Sequence, residues 1–246
     1  MLEHTRLADH AVWGVALLLY AYDAARLLGP RDVLLVEAGG GRLAPTLSDP
    51  PFSSRTRVLA FEPLHLPQRG VFVAAWGRPW RDDAALKTTL ESLARLRASL
   101  GPVRAAATAA AVLLFVVGPA LTLVLGPNAA VLYIAAMLYP TALAAVAALW
   151  WRRRRFGLGA ARCALLSVEV LVCPAFLPNL VRKLTDTPPL EADAVQVLRA
   201  TGETDVTAGL VATIQRRSQE ALEADDADPR AQAELRAYLA SIGRAS

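Results

Sequence analysis

The longest apolar stretch of the chain runs from Ala105 to Trp151 and contains no Asp, Glu, Lys, Arg or His. A Gly-Pro-Asn sequence at residues 126–128 interrupts it near the middle. Because a helix needs about 20 apolar residues to cross a bilayer, this length predicts two spans and a tight turn. The second arm ends in two tryptophans, whose amphipathic rings suit the headgroup level. The pattern therefore predicts a transmembrane helical hairpin over residues 104–151.

Basic residues flank the predicted hairpin on both sides, whereas its turn carries no charge. Arg104 precedes it, and four arginines follow it directly: Arg152, Arg153, Arg154 and Arg155. The positive-inside rule then puts both ends in the cytoplasm and the turn outside. The four arginines are predicted to contact anionic lipid headgroups, and their role as a topological anchor holds with or without that binding.

A second apolar segment, Ala8 to Leu28, lies within residues 1–30 and contains the charged residues Asp23 and Arg26. It crosses a membrane only if both lie near an interface, because a charge costs about 3 kcal/mol at the helix centre. Arg26 and Arg31 follow the apolar stretch and almost no net positive charge precedes it, which predicts a span that runs from outside to inside. Its flanks lack the basic region and cleavage site of a removable signal peptide, so we expect it to stay.

A third apolar segment, Gly157 to Leu180, lies within residues 152–184 and is interrupted by Arg162, Glu169 and two prolines. Positive charge flanks it on both sides, so the positive-inside rule does not favour a full crossing. We therefore expect an interfacial or re-entrant helix, with a crossing as the alternative.

Residues 31–103 change to short apolar runs split by glycine and proline, which is typical of strands and turns. The pattern predicts two hairpins followed by a helix that Asp82 or Asp83 caps and that continues through Leu100. The first hairpin pairs Asp32–Ala38 with Arg42–Leu47, and the second pairs Arg57–Leu66 with Val71–Trp76.

Residues 185–246 form a polar, alanine-rich tail with a helical pattern. One helix is predicted over Asp205–Glu223. Another is predicted after Asp228, which precedes a proline as an N-cap would, with Gly243 as its stop. We expect this tail to be a separate cytoplasmic helical unit.

Composition agrees with a membrane location. The chain is 54% hydrophobic with a mean hydropathy of +0.35, and its formal net charge is +4. The arginines stand beside apolar segments rather than on one polar face, which favours lipid headgroups over nucleic acid. The expected fold is an α-helical integral membrane protein with two and up to four spans, a small cytoplasmic α+β module and a cytoplasmic tail. Its alanine, arginine and leucine richness suggests a high-GC bacterial genome, so we expect the membrane to be a bacterial inner membrane.

Motifs for catalysis, metal or cofactor binding are not evident. The glycines at 39–41 lack a following helix and predict a hairpin turn rather than a phosphate loop. The three histidines have no metal-ligand spacing, and Cys163 and Cys173 are predicted to point to different helix faces as packing residues. We therefore expect no cofactor, no metal and no catalytic constellation.

Glu169 is the main candidate for a polar site, because an acid inside an apolar segment is a functional hypothesis by default. Its predicted surroundings are Asp23, Arg26 and Arg162, with Arg182 as another possible partner. If the segment only lies at the interface, Glu169 is a solvated or salt-bridged side chain that sets orientation.

The first functional hypothesis is a non-catalytic accessory, scaffold or assembly subunit of a larger bacterial inner-membrane complex. Its partners would be a bilayer with anionic lipids and other membrane-protein subunits, and not nucleic acid. The alternative is a small transporter or channel subunit that uses Glu169. A membrane-bound enzyme ranks third, because few polar residues are available for it.

Overall fold

The computed structural model describes residues 2–29, 31–38, 42–46, 53–54, 57–61, 67–186, 190–202, 204–223 and 229–244. Most of these residues are helical. The α-helices are α1 (Leu2–Ala24), α2 (Asp83–Ser99), α3 (Gly101–Val112), α4 (Gly118–Leu125), α5 (Pro127–Arg152), α6 (Ala160–Val172), α7 (Leu180–Thr185), α8 (Ala194–Ala200), α9 (Thr204–Glu223) and α10 (Pro229–Arg244). The strands are β1 (Ala25–Leu28), β2 (Asp32–Glu37), β3 (Leu43–Thr46), β4 (Ser53–Ser54), β5 (Arg57–Phe61) and β6 (Val71–Ala75).

The chain divides into two compact units, each built from separated stretches of sequence. The helical unit comprises Met1–Leu27, Leu59–Gly70 and Ser92–Thr187. The sheet unit comprises Leu28–Val58, Val71–Glu91 and Pro188–Ser246.

The helical unit contains the two long apolar helices that the sequence predicts. Gly101–Leu125 has 25 residues and a hydropathy of 2.4, and Pro127–Arg152 has 26 residues and a hydropathy of 1.9. Both are long and apolar enough to cross a membrane. They meet at Gly126, whose φ of 80° lies in the left-handed region that favours glycine.

Small residues allow the two arms to pack closely along one seam. Buried residues of the first arm recur at spacings of three and four, and so do those of α5, as expected for one helix face. They are Val103, Ala107, Ala110 and Leu114 on the first arm, and Ala130, Ile134, Leu138, Ala142, Ala145 and Leu149 on α5. Five of these ten buried residues are alanines, whose small side chains let helices approach closely.

Helix α1 packs against the first arm at a glycine. A Cβ at Gly118 would stand 2.5 Å from ring carbons of Trp13, so a larger residue has no room there. The Trp13 indole N–H donates to the Thr122 hydroxyl at 2.7 Å, which satisfies a buried donor. The π-helical turn Leu113–Val117 directly precedes Gly118, and Pro119 directly follows Gly118.

The predicted N-terminal span is wrong at its C-terminal end. Helix α1 stops at Ala24 and the chain enters β1, so Arg26 lies on a strand rather than on a helix. The apolar part of α1 is Ala11–Ala24. At 1.5 Å per residue it is about 21 Å long, which is shorter than the hydrocarbon core of about 30 Å.

The third apolar segment is not one helix. Helix α6 has 13 residues, and a 3-10 helix, Pro174–Asn179, separates it from α7. Both prolines of the segment lie in this break, where a missing backbone N–H is tolerated. The residues of the 3-10 helix and the first residue of α7 are largely buried, and Leu177, Asn179 and Leu180 are almost without exposure. The chain therefore turns inside the helical unit.

The sheet unit is built around β2, whose apolar run is buried on both faces as expected of a central strand. The sheet order is β3-β2-β6, and both pairings are antiparallel. This confirms the first predicted hairpin, whose glycines at 39–41 lie outside the described residues. The second predicted hairpin is wrong, because β6 pairs with β2 while β5 joins a second small sheet in the order β1-β5-β4.

Two helix caps in the sheet unit follow ordinary capping chemistry. The Asp82 carboxylate accepts from the Ala85 N–H at 2.7 Å, so Asp82 is the predicted cap of α2. Asp193 accepts from the Val195 N–H and caps α8, a helix that the sequence pattern did not indicate. Helix α9 is confirmed, and α10 continues past Gly243 to Arg244. Asp228 lies outside the described residues.

Candidate functional site

A cluster of three charged side chains lies inside the helical unit, where α1, α6 and α7 meet. The Lys183 ammonium is 2.8 Å from the Asp23 carboxylate and also donates to the Glu169 carboxylate. The three side chains are 17%, 15% and 31% exposed, in the order Lys183, Asp23 and Glu169. We call Asp23, Glu169 and Lys183 the charged cluster. Such partly buried charges are expensive to maintain unless they are paired, as they are here.

The break after α6 brings the charged cluster together. Glu169 and Lys183 are fourteen residues apart, which a continuous helix would separate by about 21 Å. The 3-10 helix at Pro174–Asn179 turns the chain, so that α7 returns its lysine to the acid on α6. The Asn179 side chain donates to the carbonyl oxygen of Tyr20 at 2.9 Å and thereby fastens the break to α1.

Aromatic rings surround the cations of this region. The Lys183 ammonium stands 5.0 Å from the centroid of the Phe176 ring, and the Arg182 guanidinium stands 5.8 Å from that of Tyr20. Tyr20 in turn contacts Phe115 of the first arm at a centroid distance of 5.2 Å. These ring faces attract cations, so they help to keep both basic side chains inside an apolar unit.

The charged cluster lies toward the basic end of the hairpin. The Trp150 indole N–H donates to the Ser167 hydroxyl at 3.0 Å, which places this part of α6 beside the end of α5. Glu169 is two residues further along α6, a rise of about 3 Å. Glu169 therefore lies nearer to the end of α5 than to its middle.

The structure brings together two of the four residues predicted for this site. Asp23 and Glu169 both form ion pairs with Lys183, which was not among the four predicted residues. Arg162 is exposed on α6, and the side chain of Arg26 lies outside the described part of the chain. The sequence does show two prolines followed by the basic residues Arg182 and Lys183. Only the folded break shows that Lys183 comes back to Glu169.

The four arginines after the hairpin divide into two pairs. Arg152 donates to the carbonyl oxygen of Ser99 at 2.9 Å, and Arg153 stacks 5.7 Å from the centroid of Trp150. Arg154 and Arg155 are exposed. The first pair thus ties α5 to its neighbours, and the second pair is available for other contacts.

The sheet unit has its own buried polar centre at Asp193. This carboxylate is fully buried and accepts hydrogen bonds from the Val195 N–H, the Arg78 N–H and the Tyr238 hydroxyl. Burial raises the pKa of Asp193, and these hydrogen bonds oppose that shift only in part. Burial also raises the pKa of the Tyr238 phenol, and the neighbouring Asp193 adds to that shift. Tyr238 therefore remains a donor, and the arrangement holds the start of α8 to the segment after β6.

Other chemistry is not supported by the described residues. Among them, no group of three His, Cys, Asp or Glu side chains is placed to hold a metal ion. Cys163 is buried in the core of the helical unit, and Cys173 is half-buried. The charged cluster can position α1, α6 and α7 relative to one another.

Comparisons with protein families, with curated proteins and with solved structures gave no match.

Proposed function

We propose that this protein is a non-catalytic scaffold or assembly subunit of a bacterial inner-membrane complex. Its helical unit would be embedded in the bilayer, and its sheet unit would lie on the cytoplasmic side. The observation that carries the proposal is the charged cluster. Glu169, the acid most suited to chemistry, is paired with Lys183, and together with Asp23 this pair joins α1, α6 and α7. Glu169 then stabilises the packing of α6, and its partner groups are already provided by the chain.

Exposed apolar side chains support the membrane location. They occur on α1, on both arms of the hairpin and on α6, and include Leu18, Leu123, Leu132, Leu165 and Val172. Only 22% and 28% of the most apolar windows of the two long helices are buried. The core helix of a water-soluble protein buries most of such a window, whereas a lipid-facing helix does not.

One face of α5 supports the scaffold part of the proposal. Ala136, Pro140, Ala144 and Ala147 are exposed and recur at spacings of three and four. Small residues at such spacing let a second helix approach closely, which is the main source of helix association in membranes. We take the occupant of this face to be a transmembrane helix of another subunit.

Site-specific photo-crosslinking in intact membranes tests the proposal. A photoreactive residue in place of Ala144 should give a discrete crosslinked protein product of higher mass. The matched control is Leu143, which is exposed at the same depth but on the neighbouring face; it should give mainly lipid adducts. Mass spectrometry of the product identifies the partner.

Three outcomes would contradict the proposal. A product that contains two copies of this chain would replace the scaffold with a homo-oligomer. Lipid adducts alone at both positions, with a monomer by native mass spectrometry, would leave the protein without a partner. Extraction of the chain from membranes by alkaline carbonate would contradict the membrane location itself.

The alternative function, a small transporter or channel subunit, also has a specific observation in its favour. Two carboxylates share one ammonium, and among the described residues the second oxygen of Asp23 has no hydrogen-bond partner. A buried carboxylate oxygen without a partner inside an apolar unit is the kind of polar group that a transport site uses. Reporter fusions at Thr185 separate the functions, because a transporter needs α6 and α7 to complete a crossing and the scaffold predicts a cytoplasmic reporter. Glu169→Gln should lower assembly if the acid serves the scaffold and lower transport activity if it serves the transporter; unchanged assembly and activity would remove Glu169 from both roles.

A further inference from the structure

A cleft at the basic end of the hairpin is lined by arginines from two separate parts of the helical unit. Arg95 comes from α2, and Arg154 and Arg155 come from the turn that follows α5. Ser92 and Ser99 belong to the same lining, where the Ser99 hydroxyl donates to the Arg95 carbonyl oxygen at 2.8 Å. The cleft has a volume of about 570 Å³, within the range of small-ligand sites. We propose that it binds the phosphate group of an anionic phospholipid.

The cleft is held in shape by the fold rather than by its own charged groups. Phe156, which follows Arg155 in the chain, is buried in the core of the helical unit, and Gly157 adopts a φ of 66° that ends the turn. Arg152 fastens the end of α5 to the Ser99 carbonyl on the opposite wall. A preformed site loses less conformational freedom when a ligand binds.

The charge of the cleft selects an anion. Within the described residues, Arg95, Arg154 and Arg155 have no acidic partner, so three guanidinium groups face one concave surface. Guanidinium groups bind phosphate oxygens with paired hydrogen bonds. Basic pockets beside membrane helices on the cytoplasmic side suit lipid phosphates. Three positive groups fit a headgroup with two phosphodiesters better than one with a single phosphodiester.

This inference rests on the membrane location proposed above, and it assigns the four arginines different roles. Arg152 and Arg153 position the helices, whereas Arg154 and Arg155 contact the ligand together with Arg95. A general electrostatic attraction to the membrane surface would instead use all exposed arginines alike. The two cases differ in how specific residues change lipid retention.

Native mass spectrometry of the full-length protein, purified in neutral detergent and supplied with phosphatidylcholine or with cardiolipin, tests the site. The wild type should retain cardiolipin selectively. The double substitution Arg154→Gln/Arg155→Gln should weaken that retention about 25-fold, since each basic residue near a charged surface contributes about fivefold. The matched control is Arg162→Gln, which removes a charge from the same unit outside the cleft and should change retention by less than about twofold.

The outcomes separate the possible sources of the phosphate. If soluble pyrophosphate displaces cardiolipin at equal concentration, the cleft is a phosphate site but its natural ligand is a soluble compound. Equal losses in the double variant and in the Arg162 control, or retention of both lipids alike, would overturn the proposal. Membrane sedimentation of the wild type and the double variant is measured separately. If the wild type fails to sediment, the membrane proposal fails, while pyrophosphate binding still tests the cleft.

Discussion

The two units of the chain distribute their apolar side chains in opposite ways. In the helical unit, Leu123 and Leu132 are 76% and 72% exposed. In the sheet unit, β2 buries Leu34 and Leu35 completely, and α9 turns Ile214 inward. Water drives apolar surface inside, whereas lipid tails are as apolar as leucine and impose no such ordering. This difference is expected if lipid covers the helical unit and water covers the sheet unit.

Their buried polar groups differ in the same sense. The charged cluster pairs two carboxylates with one lysine, whose ammonium also lies against the Phe176 ring. Among the described residues no cation pairs with the Asp193 carboxylate, which is held by backbone amides and a phenol. Inside a helix the backbone N–H groups are already hydrogen-bonded, so a buried carboxylate there is stabilised by a cation. At the start of a helix the backbone N–H groups are free and can hold the carboxylate instead.

The largest expected effect comes from removing the cation of the charged cluster. Lys183→Met leaves two partly buried carboxylates without their partner, which should cost about 3 kcal/mol of unfolding free energy in detergent. Thermal unfolding followed by tryptophan fluorescence measures it. The control Lys87→Met changes an exposed lysine on α2 and should have almost no effect. Adding Asp23→Asn and Glu169→Gln to Lys183→Met should recover part of the loss; no recovery would show that the charges are not its cause.

The next effect tests directly which solvent faces the hairpin. Met137 is exposed near the middle of α5. If lipid covers it, Met137→Arg should lower membrane insertion by about 2.5 to 3.5 kcal/mol, measured by a glycosylation-based insertion assay. Ala233→Arg on the exposed face of α10 should be neutral because water covers that helix. An equally small effect of arginine at both positions would contradict the proposed difference in the solvent that covers the two units.

A smaller effect is expected where α1 approaches the first arm. Gly118→Ala introduces a Cβ only 2.5 Å from the Trp13 ring, so α1 must move. The cost should be about 1 to 3 kcal/mol, again by thermal unfolding. Gly14→Ala on α1 has open space and should instead gain about 0.5 to 1 kcal/mol from its helical position. Similar values for both variants would mean that α1 does not depend on this contact.

The smallest effect concerns pH and the sheet unit. Because burial raises the pKa of Asp193 above 3.8, the folded state holds its proton to higher pH than the unfolded state. Its contribution to stability therefore falls as pH rises from 3.8 through the raised folded pKa, and stays constant above it. Asp193→Asn should abolish this slope and cost about 1 kcal/mol at neutral pH, because one amide donor loses its acceptor. Urea unfolding at several pH values measures both; an unchanged slope would contradict the assignment.

Local patterns in the sequence were enough to predict much of the fold. The two apolar helices, the strands β2 and β3, the Asp82 cap and α9 each depend on periodicity or on residues a few positions apart. The pairing of β6 with β2 was missed because neighbouring apolar runs look like a hairpin, and their sequence contains nothing about a more distant partner. The break after α6 was visible as prolines, but its direction was not.

The sequence by itself determined where the long apolar helices lie and that arginines flank them. Only the tertiary structure decided that Lys183 joins Asp23 to Glu169, that Trp13 lies against Gly118, and that Arg154 and Arg155 share a cleft with Arg95. The physical reason is range. Hydrophobic length and charge act along a few turns of chain, whereas these contacts join residues that are separated in sequence and meet only when whole elements have packed.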